Sequence, residues 1–335
     1  GSREISLLEA AMNFPSSVLS AAVLVGLVTF GPTYVVAQEV YPNRPIKVIV
    51  PFPAGGALDV LTRIITANLA VKFGQPVIVD NKPGASGNIG TEMVVNAKPD
   101  GYTLLATPPT FVINQHLFEQ LPYHPTRFSP VTVMAGAPNL LVVNAKLQAS
   151  NIGELLTHAR AHPGKLNYAS TGTGGTPHLT TEWFKAVASV QLTHVPYKGY
   201  PPAIPPLLAG DVDMMFMNLA DALPHIRSGK LKALAIGGEK RSRALPEVPA
   251  IVETIPGFVS VTWFAVAAPP GTPLPIAEKL SAVIAETLQL PEVGRKLADL
   301  HLDPIGGSPA QTATFFKEES ERWGKVIRAA NIKAD

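Results

Sequence analysis

One stretch constrains the fold more than any other: Lys47-Val-Ile-Val-Pro-Phe-Pro-Ala-Gly-Gly-Ala-Leu-Asp59. Val48 to Val50 is an apolar, β-branched run that reads as a buried strand. Pro51 and Pro53 end the strand pattern, and Gly55-Gly56 permit a tight turn. Leu58, Leu61, Ile64, Ile65 and Leu69 then recur on one face of a predicted helix over 57–73. A strand, a glycine turn and a helix in that order leave unpaired backbone N–H groups at the helix start, and such a place favours an anion.

The same unit recurs. Pro76 to Val79 is a second predicted strand, and Pro83-Gly-Ala-Ser-Gly-Asn88 leads into a helical stretch over 89–97. Leu166 to Ala169 is another, and Ser170-Thr-Gly-Thr-Gly-Gly-Thr176 leads into a helix over 177–187. Two such turns in the first half and one in the second suggest an anion held between two lobes. Tyr102 to Ala106 is a strand ending at Thr107-Pro-Pro-Thr110, where a helix starts. Short extended runs follow at 128–135 and 139–144, the second a crossing to another lobe. Asn151 with Glu154 three residues on reads as a helix cap. Strands at 192–195, 212–217 and 231–236, a return crossing at 261–267, and amphipathic helices at 276–288 and 311–330 complete the pattern. Strands alternating with helices mean an α/β fold, with a mixed, mostly parallel sheet in each lobe.

At 335 residues the chain has room for two domains. Apolar residues make up 46% and charged residues 16%, so it folds. A net charge of +2 with no basic stripe gives no footing for nucleic acid. The absence of cysteine removes disulfides, thiolate zinc sites and cysteine nucleophiles. Gly1-Ser2 looks like a cloning scar, the apolar run 18–30 is too short to span a bilayer, and Val35-Val-Ala37 fits a signal-peptidase site. The expectation is a secretory segment over 1–37 and a mature chain from Gln38.

None of the glycine turns continues with the Lys of a P-loop. Pro177 stands where a dinucleotide fingerprint needs its third glycine, and Gly84-Ala-Ser86-Gly87 is not a nucleophile elbow. His158 and His162 share a helix face with Glu154, which a solvated face explains better than a metal. His178, in the first turn after the third loop, is a capping residue or a ligand contact. Asp59 either caps its helix or accepts from a water, hydroxyl or ammonium in the site. Tyr197-Lys198 either meets a carboxylate or lies on the surface. A hydrolase using Ser86 or Ser170 with His178 stays open as a competitor, as does a sensor that presents its liganded form to a signalling partner.

In combination the motifs resemble the Bug-type solute-binding proteins of tripartite tricarboxylate transporters. The likeness runs from Tyr41-Pro-Asn-Arg-Pro45 to the last helix. It is carried by Pro51 to Gly56 with Asp59, Asn81-Lys-Pro-Gly84 with Gly87-Asn-Ile-Gly90, Pro99-Asp-Gly-Tyr102, Ser170 to Thr176, Pro196-Tyr-Lys-Gly199, Gly210-Asp-Val-Asp213 and Ile226 to Lys230. The resemblance implies a periplasmic, two-lobed "Venus flytrap" that uses no cofactor, acts as a monomer and delivers a small organic carboxylate to membrane permease subunits. Lobe 1 would comprise 41–142 and 264–335, and lobe 2 would comprise 143–263. Phe52, Ala54, Gly55 and Asp59 match the family's first loop, beside Gly56; Ser170, Thr171, Gly172 and Gly174 lie in its second, beside Thr173, Gly175 and Thr176. Ser86, Thr107, Thr110, His178, Tyr197, Lys198 and Asn218 complete the expected lining. The chain departs from the family at Ala54, at Ala57-Leu58 and in the prolines at 201, 202, 205 and 206, which leaves the carboxylate (di- or tricarboxylate, or aromatic acid) open.

Overall fold

The computed structural model describes residues 41–333, so the secretory segment expected over 1–37 lies outside the described residues. The first half is built of βα units: β1 (Ile46–Val50), α1 (Ala57–Phe73), β2 (Val77–Asn81), α2 (Asn88–Val95), β3 (Thr103–Thr107) and α3 (Thr110–Leu117). β4 (Ser129–Asn144) leads to α4 (Ile152–Ala161), β5 (Asn167–Ser170), α5 (Thr176–Ala188), β6 (Thr193–Pro196), α6 (Tyr200–Ala209), β7 (Met214–Asn218), α7 (Leu219–Arg227) and β8 (Leu231–Ile236). β9 (Val261–Ala268) returns the chain, and α8 (Leu274–Leu288), α9 (Pro291–Asp299), β10 (Asp303–Gly306) and α10 (Pro309–Ala329) finish it.

The strand order is β2-β1-β3-β9-β4-β7-β5-β6, with β8 and β10 also on β4. β1 pairs parallel with β2 and β3, and β5 pairs parallel with β6 and β7. Every ladder made by β4 or β9 is antiparallel. The antiparallel share exceeds what βα alternation suggests, because these two strands carry the chain between the lobes.

β4 is one strand of 16 residues, where the sequence suggested two short runs. Gly136 and Pro138 do not break it. A Cβ on Gly136 would stand 2.7 Å from Val261 Cγ1, so close pairing with β9 requires glycine there. Pro138 is the last residue opposite β9 (at Val261), and Asn139 is the first opposite β7 (at Asn218). The missing proline N–H therefore falls where one neighbour leaves and the next arrives. Asn139 anchors the change: its Nδ2 donates to Ser260 Oγ at 2.8 Å, and Ser260 Oγ lies 3.0 Å from Thr180 Oγ1 of α5.

α6 is a helix despite Pro205 and Pro206 inside it. Pro201 and Pro202 sit in the first turn, where no N–H is needed. The inner two prolines each remove a bond to the preceding turn, and burial of Ala203 and Leu207 offsets that loss.

Behind the sheet, α10 joins both halves. Ile113 of α3, Leu179 of α5 and Trp323, Val326 and Ile327 of α10 form one buried cluster. Buried Glu319 accepts from Trp263 Nε1 at 2.7 Å and Trp323 Nε1 at 3.1 Å. Arg322 donates to Val259 O at 2.7 Å and lies over the Trp183 and Trp323 rings, 5.0 and 4.7 Å from their centroids.

Candidate functional site

Strand direction places the glycine turns. β9 runs against both β3 and β4, so β1 and β3 run the same way as β4. β7 runs against β4, and β5 and β6 run with β7. The carboxyl ends of β1 and β3 therefore face the carboxyl ends of β5, β6 and β7. Thr107, the last residue of β3, pairs with Ala265 and so is level with Val133 of β4, whereas Asn218, the last residue of β7, pairs with Asn139. At about 3.3 Å per residue the two sets of strand ends lie roughly 20 Å apart along β4. The turns that open α1, α3 and α5 project into that interval. Open α/β sheets bind ligands at such carboxyl ends.

In the first turn Gly55 has φ 87, a left-handed conformation natural to glycine. Gly56 is the N-cap of α1 and supplies no side-chain cap. The amides of the first helical turn, from Ala57, are thus left for another acceptor. Ala54, Gly55 and Gly56 are exposed, and Phe52 is half-buried. Asp59 does not face the opening. It is 3% exposed, and its carboxylate accepts from Gly55 N at 2.9 Å, Asn81 Nδ2 at 2.9 Å and Arg63 Nε at 3.1 Å. Asn81 also donates to Phe52 O at 3.1 Å. Burial pushes the Asp59 carboxyl up, but Arg63, the Gly55 amide and Asn81 together hold it below its ordinary value. Asp59 clamps the turn, which leaves no oxygen for a ligand donor.

The second turn is strained. Ala85 and Ser86, at φ 46 and 54, are non-glycine residues in left-handed backbone between Gly84 and Gly87. Asn114 Nδ2 holds it through Ser86 O at 3.1 Å and Asn88 Oδ1 at 2.7 Å. Ser86 itself is exposed. Thr107 is buried and Thr110 half-buried at the start of α3.

In the third turn Gly172 N donates to Ser170 Oγ at 3.2 Å and Gly174 N to His178 Nδ1 at 3.0 Å. Gly175 N donates to Gly172 O at 3.2 Å. These three amides are spent inside the turn, while among the described residues the amides of Thr171, Thr173 and Thr176 have no such partner. Gly174 has φ 76, and a Cβ there would meet Leu117 of α3 at 2.5 Å, so the third turn touches the first half directly. His178 is only 5% exposed and lines no opening. Its ring stacks on His194 at 3.9 Å and 6°, and His194 stacks on Tyr168 at 4.8 Å. Burial, with repulsion from His194, pushes His178 down to about 4.

The hydrolase pairing of Ser170 with His178 is not formed. Ser170 Oγ meets His194 Nε2 instead, at 2.6 Å, and Ser170 is 0% exposed. Sequence reasoning passed over His194, Tyr168 and Glu182. Only the parallel register Tyr168↔His194 brings the first two together, and no local spacing carries it. Tyr197 and Asn218 are half-buried and Lys198 is exposed at the ends of β6 and β7; Asn218 Oδ1 is buried and unpaired. Among the described residues no group of three His, Cys, Asp or Glu could hold a metal ion. The rings of His158 and His162 lie 4.8 Å apart, tilted by 36°, and Glu154 accepts from Ser150 N and Asn151 Nδ2.

Two helix starts with free amides, at the opposed carboxyl ends of two sets of strands in the sheet, can hold an anion without a lysine or arginine. Residues 61–332 match the tripartite tricarboxylate transporter family receptor. Protein BugT of Bordetella pertussis is 37% identical over 319 residues, which cover 94% of this chain and 98% of BugT. The structure of R. palustris Rpa4515 with adipate matches with a TM-score of 0.75 at 36% identity, over 88% of this chain and 99% of that one. MatC (Rpa3494) from Rhodopseudomonas palustris with bound malate matches at 0.71 and 33%, over 86% and 100%. By sequence and by fold alike, the chain belongs to the Bug-type receptors of the tripartite tricarboxylate transporter family.

Proposed function

We propose that this protein is a periplasmic receptor that holds a small organic dicarboxylate between its lobes and delivers it, as a single chain, to the membrane permease subunits of a tripartite transporter. The observation that carries the reading is the pair of facing helix starts. The first-turn amides of α1 take one side of the carboxylate, and the amides and hydroxyls of Thr171, Thr173 and Thr176 take the other. Half-buried Phe52 gives an apolar wall, whereas Leu58, expected beside it, is buried in the core; Lys198 and Asn218 lie where a distal polar group would reach. Adipate on Rpa4515 and malate on MatC support a dicarboxylate in particular. The lobes exchange where β4 changes neighbours at Pro138–Asn139, and again near Ser260–Val261, a few residues ahead of 142 and 263. The periplasmic address follows the family; among the described residues no helix is long and apolar enough to cross a membrane.

A hydrogen bond to a charged acceptor is worth about 1.5–3 kcal/mol, and micromolar binding needs only about 8 kcal/mol net. A handful of such bonds therefore suffices. The test is calorimetry with adipate and malate against their methyl esters. Esterifying the gripped end should cost several kcal/mol, since it removes charge-assisted bonds. Equal affinity for acid and ester would overturn the reading.

A further inference from the structure

We propose that His178 and His194 are positioning residues: as a stacked, neutral pair they hold the Ser170–Thr176 turn in its ligand-receiving shape without touching the ligand. The inference rests on the receptor reading above and deepens it.

The geometry divides the task. Gly174 N donates directly to His178 Nδ1 at 3.0 Å, so that nitrogen offers a lone pair and the ring proton sits on Nε2, 4.0 Å from Glu182 Oε1. Gly172 N donates to Ser170 Oγ at 3.2 Å, and Ser170 Oγ is held by His194 Nε2 at 2.6 Å. Each imidazole thus fixes one glycine amide, the first directly and the second through a serine. With Gly172 and Gly174 turned inward, the alternate amides of Thr171 and Thr173 are free to point elsewhere. The two rings lie 3.9 Å apart and nearly parallel, with Tyr168 stacked beyond His194, so neither can tilt without moving the others. Glu182 anchors the far side, accepting from Tyr168 Oη at 2.5 Å and Lys185 Nζ at 2.6 Å. Burial holds both imidazoles below their ordinary value, which keeps the acceptor lone pair of His178 available at neutral pH.

Paired substitutions separate positioning from contact. Asn can present its oxygen where His presents Nδ1, and Gln can reach where His presents Nε2, whereas Phe keeps a stacking ring and loses both. In the full chain, H178F and H194F should each weaken adipate or malate binding roughly tenfold, about 1.4 kcal/mol. H178N and H194Q should stay within about threefold of the parent (about 0.7 kcal/mol or less). NMR of the unliganded protein supplies an independent readout. The Gly174 amide should move upfield and exchange faster in H178F but not in H178N, and the Gly172 amide should do so in H194F but not in H194Q. The parent His178 should appear as the Nε2–H tautomer at pH 7. Phe variants that bind like the parent, glycine amides that do not respond, or an Nδ1–H tautomer would each overturn the proposal. Should neither dicarboxylate bind the parent, the receptor reading loses its probe, while the amide and tautomer results still decide the role of the histidines. If the Phe variants do not fold, the tautomer alone decides it.

Discussion

Asp59 separates two roles that sequence alone leaves joined. If it clamps the first turn, replacing it should cost stability as well as binding. In Asp59→Ala the Gly55 amide and the Asn81 side chain lose their acceptor, two bonds of 2.9 Å each to a buried carboxylate. At about 1.5–3 kcal/mol per bond to a charged group, less the desolvation that the buried carboxylate no longer suffers, the net loss is about 3 kcal/mol. Arg63 adds little more, no more than about 1 kcal/mol, because its side chain is half exposed and can turn to water. Asp59→Asn keeps one acceptor oxygen but presents an NH2 group to a donor, so it should lose about as much or slightly less. The assay is urea unfolding followed by tryptophan emission, with the midpoint compared at constant m-value. Acid supplies a second arm. The folded Asp59 titrates below its ordinary value of 3.8, so its contribution is present above 3.8 and disappears as pH falls through the lower, folded value. The parent should therefore lose stability below about pH 4 more steeply than Asp59→Ala. An alanine variant within about 0.5 kcal/mol of the parent that nevertheless fails to bind dicarboxylate would refute the clamp and make Asp59 a direct contact.

Two further outcomes follow from the crossing region. A Cβ at Gly237 would stand 2.5 Å from Ser260 O and 2.9 Å from Asn139 O, both backbone atoms, so Gly237→Ala should destabilise by about 1–3 kcal/mol in thermal or urea unfolding, and an unchanged midpoint would mean that the crossing strands give way freely. The chain has 3 tryptophans, and Trp183, Trp263 and Trp323 gather around Glu319 and Arg322 beside the crossing. Saturating adipate or malate should therefore change the emission spectrum, and Trp323→Phe should remove most of the change; a flat titration despite calorimetric binding would mean that the lobes do not rotate there.

Much of the fold was legible because it is written locally. α1 runs from Ala57 to Phe73, as the apolar stripe from Leu58 to Leu69 and the glycines on either side indicate, and Asn151 caps α4 through Glu154 N as its spacing indicated. What escaped depends on distant neighbours. α6 defeats local propensity because Ala203 and Leu207 are buried by residues far along the chain. β4 stays whole across Gly136 and Pro138 only because its partner changes beside them. The glycine turns were legible as turns, but which of their amides remain free was not. That depends on Asp59, Ser170 and His178 turning back into the protein, and for Ser170 on a histidine that arrives from a neighbouring parallel strand.

The 16-residue strand β4 pairs with β9 up to Pro138 and with β7 from Asn139, and this shared use limits how such a protein can be cut, recombined or bent. A break within 129–144 would leave each fragment holding an incomplete ladder, whereas a nick in the exposed segment 239–241 leaves every strand whole. Chimeras between two relatives should therefore be joined outside β4, so that the whole strand comes from one parent. Any turning of one lobe against the other has to be taken up as twist along a hydrogen-bonded ribbon. Such a ribbon resists twist in proportion to the ladder bonds on both its edges, so the paired length of β4 sets how stiffly the two halves are joined.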